Sequence, residues 1–166
     1  MSNGSNTIPM LYVRDATVYR PATAEETLAA ARKAISRQFR RGRVLNSPAD
    51  VREYLRITIA PLEHEVFCLV LLDGRRQLIA MHELFRGTIN AAIVHPREVL
   101  KEALKYNAAF VILAHNHPSG VEEPSAADEI ITQRIKDVLA LVDVGLLDHL
   151  VVGGNNIVSM AQRGLV

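Results

Sequence analysis

The feature that most constrains this chain is an apolar run that leads directly into two closely spaced histidines. The run, Ala-Ala-Phe-Val-Ile-Leu-Ala at 108–114, predicts a buried strand. His115 and His117 follow it. Because side chains at positions i and i+2 of an extended backbone point to the same side, both imidazoles can reach one point. A Pro-Ser-Gly turn at 118–120 then reverses the chain.

A carboxylate follows at the start of the next predicted helix. Ser125 begins a helical pattern that runs to about residue 142, and Asp128 lies in its first turn, where the helix dipole favours the ionised form. Two histidines and one aspartate, with a fourth position open to water, form a usual ligand set of catalytic zinc. Taken singly, Ser125 and Asp128 are equally typical of a capping box, and the histidines of a polar turn. Their combination favours the metal site.

Composition limits the classes of protein that the chain can belong to. At 166 residues and 49% hydrophobic content it can build one full core, and its net charge of +1 creates no global field toward nucleic acid or membrane. The single cysteine, Cys68, excludes an internal disulfide and a cysteine zinc cage. No secretory signal and no apolar run of roughly 18 residues is present, so we expect a cytoplasmic protein without membrane contact.

The order of sequence patterns predicts an α/β layer fold, a mixed β-sheet flanked by helices. Residues 1 to about 9 read as a flexible tail. Helices are predicted at 23–41, 47–59, 95–107 and 125–142. Strands are predicted at 11–18, 65–73, 77–86, 88–94, 109–114, 147–152 and 157–160.

The motif at 115–128 resembles that of a known family. His-Asn-His-Pro-Ser-Gly followed by Pro-Ser-x-x-Asp is similar to the JAMM signature H-x-H-x7-S-x2-D of the MPN/JAB metalloprotease superfamily, and more narrowly to its RadC-like branch. The resemblance implies an MPN/JAB-like fold with cytidine-deaminase-like layering. It implies a RadC-like MPN/JAMM domain at 45–166, preceded at 1–44 by the tail, a short strand and a basic helix. Further matching segments are 83–88, 95–99, 107–109 and 148–150.

The resemblance also implies roles for individual side chains. His115, His117 and Asp128 would be ligands of Zn2+, and Ser125 would hydrogen-bond the tetrahedral intermediate. The implied activity is that of a zinc metalloprotease that hydrolyses a peptide, isopeptide or related amide bond. A peptide or protein would be its substrate.

The family pattern needs an upstream glutamate as general base, and three candidates are present. Glu65 fits best, because it directly precedes an aromatic residue and an apolar strand. Glu63 lies nearer the loop before that strand, and Glu83 belongs to the second strand of the predicted hairpin. Without the resemblance, Glu65 reads as a solvated carboxylate at the start of a strand.

Two other functions compete with this one. A DNA-associated accessory protein of the RadC type, without peptidase activity, is suggested by a basic cluster that could give weak nucleic-acid contact. A solvated helix face explains the same cluster, since only Phe39 is interleaved with it. Zinc-dependent deamination needs His-x-Glu with Pro-Cys-x-x-Cys, and neither is present. The cluster comprises Arg32, Lys33, Arg37, Arg40, Arg41 and Arg43.

The remaining histidines and two small side chains are predicted to be structural. His95 is predicted to cap or orient a helix, Cys68 to fill the core and Ser119 to serve the turn. The other lone histidines are His64, His82 and His149.

Overall fold

The computed structural model of the chain describes residues 11–15, 18–38, 48–87 and 94–166. They belong to two compact units, residues 1–37 and residues 38–166. The division into 1–44 and 45–166 stays a prediction, because residues 39–47, which contain that boundary, lie outside the described residues.

The first unit contains a short hairpin and a helix. Strands β1 (Tyr12–Asp15) and β2 (Val18–Pro21) pair antiparallel, and α1 spans Ala24–Gln38. The stretch predicted as one strand at 11–18 contains the whole of β1 and only the first residue of β2, so the prediction is right for 12–15 and misses the second strand. Thr23 and Glu26 form the reciprocal hydrogen bonds of a capping box at the start of α1. Three residues of the basic cluster, Arg40, Arg41 and Arg43, lie outside the described residues.

The second unit is built on one mixed sheet. Its strands lie in the order β4-β3-β5-β6-β7; β5 and β6 are parallel and every other neighbouring pair is antiparallel. The strands are β3 (Val66–Leu72), β4 (Leu78–Arg86), β5 (Phe110–His117), β6 (Gly145–Gly153) and β7 (Asn156–Ser159). Its helices are α2 (Pro48–Thr58), α3 (Pro96–Lys105) and α4 (Ala126–Ala140).

Helices cover both faces of the sheet, and this explains the apolar character of its central strands. On one face, Leu55 of α2 packs with Val66 and Ala114. On the other, residues of α3 and α4 pack with Phe67 and Leu113. Every residue of β3 is buried, as expected of a strand covered on both sides. The odd-numbered residues of β3 and β5 therefore face α3 and α4.

The architecture confirms the predicted α/β class with a mixed sheet flanked by helices. One boundary matters for the site, because β5 runs three residues beyond the predicted strand and ends at His117. Its parallel pairing with β6 continues to that residue, opposite Gly153, so the histidines lie in the strand rather than in the turn. The strand predicted at 88–94 falls mostly outside the described residues. Where the structure describes the chain, no helix is both long and apolar enough to span a bilayer.

Candidate metal centre

Three side chains with metal-ligating atoms converge at the end of β5. The ligand atoms of His115, His117 and Asp128 lie within 4.8 Å of one another. The Nε2 atoms of the two histidines are 3.0 Å apart. His115 Nε2 lies 3.2 Å from Asp128 Oδ1, and His117 Nε2 lies 3.6 Å from Asp128 Oδ2. In the described part of the chain this is the one cluster of its kind.

The convergence follows from strand alternation and a tight turn. His115 and His117 are two residues apart in β5 and project from the face that α4 covers. The turn after β5 closes with a hydrogen bond from the Gly120 N–H to the His117 carbonyl at 2.9 Å. Gly120 has φ +82°, in the left-handed region that glycine adopts without steric cost. The chain thereby returns to begin α4 beside the histidines.

Asp128 is held by the start of α4. The Ser125 backbone N–H and hydroxyl donate to Asp128 Oδ2 at 2.7 and 2.6 Å, and the Asp128 N–H donates to Ser125 Oγ at 3.2 Å. This is a complete capping box, so the structural interpretation of Ser125 is confirmed. The other oxygen, Oδ1, remains directed toward His115. A role of Ser125 toward a reaction intermediate stays a prediction.

His115 is fully buried and is supported by two further side chains. Its Nδ1 lies 2.8 Å from His149 Nε2, and His149 Nδ1 lies 2.6 Å from the Thr132 hydroxyl. The Thr132 hydroxyl also donates to the Asp128 carbonyl, one turn earlier in α4, at 2.5 Å. His149 and Thr132 are themselves fully buried. The inner side of the cluster is therefore a closed hydrogen-bonded arrangement of side chains from β5, β6 and α4.

His117 is more open and is held by the backbone. Its Nδ1 donates to the Val121 carbonyl at 2.7 Å. The loop that carries Val121 lies directly against Gly153 at the end of β6. A Cβ at Gly153 would lie 2.5 Å from the Val121 carbonyl carbon and 2.7 Å from Glu122 Cα, closer than real Cβ atoms approach. Glycine at this position thus allows the loop to reach His117.

The atoms that face one another in this cluster are two imidazole nitrogens and a carboxylate, a set that a positive charge would stabilise. Because a carbonyl oxygen only accepts, the bond to Val121 fixes a proton on His117 Nδ1 and leaves Nε2 as a lone pair. That lone pair faces His115 Nε2 and the Asp128 carboxylate. If a second proton is bound at Nε2, it is hydrogen-bonded to Asp128, and this bond outweighs partial burial and raises the pKa of His117. Burial opposes the charge on Asp128, yet its close contacts with the imidazoles of His115 and His117 hold its pKa below the usual range.

His149 differs from its neighbours in charge. Burial first, and the nearby His115 second, lower its pKa well below the ordinary value, so its ring is neutral. These atoms fit a divalent cation held by two imidazole nitrogens and one carboxylate oxygen. The neutral ring behind His115 is of the kind that orients a metal ligand.

Of the three candidate bases, Glu65 is the one that the fold brings to the site. It directly precedes β3, where Phe67 is paired with His115, and continuing this register sets Glu65 opposite His117. Its charge also raises the pKa of His117. Glu63 is exposed in the preceding loop. Glu83 is exposed in β4, on the far side of β3, where its carboxylate accepts a hydrogen bond from Arg86 at 2.8 Å.

Asn116 has a role that the sequence analysis missed. It lies between the two histidines but faces the opposite side of the sheet, where it is buried. Its Oδ1 accepts from the Val66 N–H at 2.8 Å, and its Nδ2 donates to the His64 carbonyl at 3.1 Å. The segment that contains Glu65 is thereby tied to β5. The available signal in the sequence was an amide side chain between two histidines at the end of a buried strand. A buried amide needs hydrogen-bond partners.

His149 was predicted to be structural, and Thr132 was not singled out. Neither supplies an atom to the cluster of three, but both support His115. The available signal for His149 was a titratable side chain inside the strand predicted at 147–152, within one of the segments that carry the family resemblance. Thr132 follows Asp128 by one helical turn, which places both on the same face of α4.

The other residues singled out from sequence supply no atom to the cluster of three. Cys68 is buried in the core, and burial raises the pKa of its thiol to about 12. His95 occupies the N-cap position of α3, but its side chain makes no capping hydrogen bond, so the capping role is wrong. The Ser119 hydroxyl accepts from the Val121 N–H at 3.4 Å within the turn. His82 packs its ring against Tyr106, with centroids 4.9 Å apart.

Comparison with known proteins agrees with this fold. The family described as the RadC-like JAB domain matches residues 45–165. A "UPF0758 protein" of Nitrosomonas eutropha is 51% identical over 145 residues, 87% of this chain and 65% of its own length. Proteins of the same name from Leptothrix cholodnii and Nitrosococcus oceani are each 54% identical, over 86% and 81% of this chain and 64% and 60% of their own lengths.

The chain therefore spans slightly less than two thirds of the length of these relatives. The family match covers well over half of the chain, including the whole of the sheet and the histidine–aspartate cluster. This chain belongs to the RadC-like JAB-domain family.

Proposed function

We propose that this protein is a zinc-dependent hydrolase of the JAMM type that cleaves a peptide, isopeptide or related amide bond. One observation carries the proposal: the Nε2 atoms of His115 and His117 and the carboxylate of Asp128 meet at 3.0 to 3.6 Å. A divalent cation bound there would have three protein ligands and an open position, the arrangement of catalytic rather than structural zinc sites.

Zinc in such a site lowers the pKa of a coordinated water toward roughly 7 and polarises a carbonyl group. The side chains of this chain then have distinct tasks. Glu65 accepts a proton from the attacking water and delivers it to the leaving amine. Ser125 donates its hydroxyl proton to the carbonyl oxygen as negative charge develops there, in place of its bond to Asp128. Water adds to the carbonyl carbon, the C–N bond breaks, and a carboxylate and an amine leave.

Four features support Glu65 over the other glutamates. It is partly buried and directly precedes the strand that pairs with β5. Its backbone carbonyl accepts from the Gly87 N–H at 2.8 Å, and the Asn116 amide fixes the residues on both sides of it. The segment that contains this carboxylate is therefore fixed against β5, the strand that contains both histidines.

Family membership agrees with a hydrolase but does not name a substrate, and the name UPF0758 protein states no activity. The DNA-associated function stays a prediction. Half of its basic cluster lies outside the described residues, and Arg32 and Lys33 of α1 have interactions within the protein.

The test combines metal content with hydrolysis of an internally quenched peptide library and of isopeptide-linked peptides. We expect one zinc per wild-type chain and loss of zinc in His117→Ala. Glu65→Gln should keep its zinc and lose hydrolysis by about 10²-fold or more, the contribution of a general base. Glu63→Gln is the matched control and should keep the wild-type rate. Full activity of Glu65→Gln, or a wild-type protein that binds no zinc, would contradict the proposal.

A further inference from the structure

The hydrogen bonds behind His115 show which atom donates and which accepts at each contact. Thr132, His149 and His115 form a chain of contacts that begins at the Asp128 carbonyl and ends at the candidate metal position. Each of the three side chains is fully buried. In such surroundings no water is at hand to replace a missing donor or acceptor, so the protons must be arranged consistently along the chain.

The order of donors follows from the Asp128 carbonyl. This oxygen only accepts, and the Thr132 hydroxyl lies 2.5 Å from it, so the hydroxyl proton points to the carbonyl. The Thr132 oxygen lies 2.6 Å from His149 Nδ1 and must then accept a hydrogen bond from it, which requires a proton on that nitrogen. A neutral imidazole has one donor and one acceptor, so His149 Nε2 is a lone pair.

The last step concerns the ligand itself. The lone pair on His149 Nε2 accepts a hydrogen bond from His115 Nδ1 at 2.8 Å. With its proton on Nδ1, the neutral His115 ring has a lone pair on Nε2, the atom that faces His117 and Asp128. A metal binds imidazole through such a lone pair, and the partner of the other nitrogen decides which nitrogen offers it.

We infer that Thr132 and His149 are positioning residues that hold His115 in its Nδ1-protonated tautomer, so that Nε2 is ready to bind the cation before the cation arrives. The purpose of this arrangement rests on the proposed function, since the ligand role of His115 does. This series of hydrogen bonds begins and ends at the same residue, because Asp128 supplies both the carbonyl that orients Thr132 and the carboxylate of the site.

The packing around the chain keeps the rings in place. Phe67 stacks on His115 with centroids 6.2 Å apart and an interplanar angle of 11°, and it meets the edge of the His149 ring at 5.4 Å. The Met160 sulfur contacts the Thr132 hydroxyl at 3.8 Å. Rotation of either ring would leave a buried nitrogen without a partner, so the hydrogen-bond order and the packing select the same arrangement.

Thr132→Val tests the proposal with little change in side-chain shape. Without the hydroxyl, a proton on His149 Nδ1 has no acceptor, and the favoured tautomer of His149 places its proton on Nε2. His115 Nδ1 must then accept, which moves the proton of His115 to Nε2, into the metal position. Thr132→Ser keeps the hydroxyl and is the matched control. Loss of such a supporting contact typically weakens metal binding 10- to 100-fold.

The measurements are the histidine tautomers, by nitrogen–proton correlation NMR of the metal-free protein at mildly alkaline pH, and the zinc affinity, by competition with a chelator. We expect Nδ1–H on His115 and on His149 in the wild type and in Thr132→Ser. In Thr132→Val we expect Nε2–H on His115 and roughly 10- to 100-fold weaker zinc binding.

An Nε2–H tautomer of His115 in the metal-free wild type would overturn the proposal, and this holds even if Thr132→Val fails to fold. Unchanged tautomers and unchanged zinc affinity in Thr132→Val would overturn it as well. A wild-type protein that binds no zinc contradicts the proposed function, while the tautomers of the metal-free protein still decide whether Thr132 and His149 set the ring of His115.

Discussion

The two histidines of the candidate metal centre are only two residues apart, yet the protein holds them in different ways. On the inner side, the His115 side chain is 1% exposed and is supported by the side chains of His149 and Thr132. On the outer side, the His117 side chain is 19% exposed and is supported by the Val121 carbonyl of a surface loop. The site thus has a buried inner side and a partly exposed outer side.

The two histidines differ because the fold places side chains beside His115 and backbone beside His117. Parallel pairing of β5 with β6, together with the cover of α4, surrounds His115 with polar side chains from two other elements. His117 is the last residue of β5 and passes directly into the turn, so its nearest partner is the backbone. The position of a side chain at a strand end depends on loop geometry, whereas that of a side chain inside the sheet depends on buried hydrogen bonds.

Alanine substitutions should separate the two sides most clearly. We expect His115→Ala and His117→Ala both to lose stoichiometric zinc. In the chelator-treated protein, His115→Ala should lower the free energy of unfolding by about 2–4 kcal/mol, because it leaves a cavity and an unpaired His149 nitrogen. His117→Ala should lower it by less than about 1 kcal/mol. Urea denaturation measures both values, and equal losses would contradict the distinction.

Gly153→Ala should disturb the outer side alone. The added Cβ would press on the backbone of Val121 and Glu122 and displace the carbonyl that holds His117. We expect a loss of about 1–3 kcal/mol in unfolding free energy and roughly tenfold weaker zinc binding. The tautomer of His115, read by NMR, should stay unchanged.

Gly74→Ala is the matched control for that substitution. No atom lies within 4 Å of a Cβ at Gly74, and its φ is not in the left-handed region. We expect no loss of zinc affinity and a neutral or slightly stabilising effect. A Gly153→Ala variant with the zinc affinity of Gly74→Ala would show that His117 does not depend on this loop.

The smallest expected effect is a difference in pH dependence between the two sides of the chelator-treated protein. The pKa of His117 is raised above 6.5, so its contribution is full below that pH and is lost as the pH rises through the raised value. The pKa of His149 is lowered below 6.5, so the folded ring stays neutral while the unfolded one takes up a proton, and the free energy of unfolding falls as the pH falls through 6.5. Asp128, with a lowered pKa, stays ionised throughout this range.

Unfolding free energies of the wild type, His117→Gln and His149→Gln, measured from mildly acidic to mildly alkaline pH, would show this difference. The stability advantage of the wild type over His117→Gln should shrink as the pH rises, by an amount on the order of 1 kcal/mol. Its advantage over His149→Gln should instead grow. Parallel pH profiles for the two variants would contradict the assignment of charge to the two sides.

Several elements of this protein could be predicted because their signals are local. The apolar run before His115, the spacing of the two histidines and the capping box at Ser125 each depend on neighbouring residues, and the structure contains all three. The single strand predicted at 11–18 contains β1 and the first residue of β2, because alternation alone does not show where a strand ends.

The supporting residues could not be derived in the same way. Asn116 binds the backbone of residues 62–66, about fifty positions earlier in the chain, and His149 binds His115 from another strand. Nothing in the local pattern around these side chains specifies such partners, because they depend on strand order and register. Only the assembled sheet identifies them.

The sequence by itself determined which atoms are available to bind a metal and that two of them project from one side of a strand, since alternation is a property of the extended backbone. The tertiary structure decided which glutamate stands near them, which ring stands behind His115 and which carbonyl holds His117. These are contacts between segments far apart in the chain, and they exist only because the parallel pairing of β5 with β6 and the packing of α4 bring those segments together.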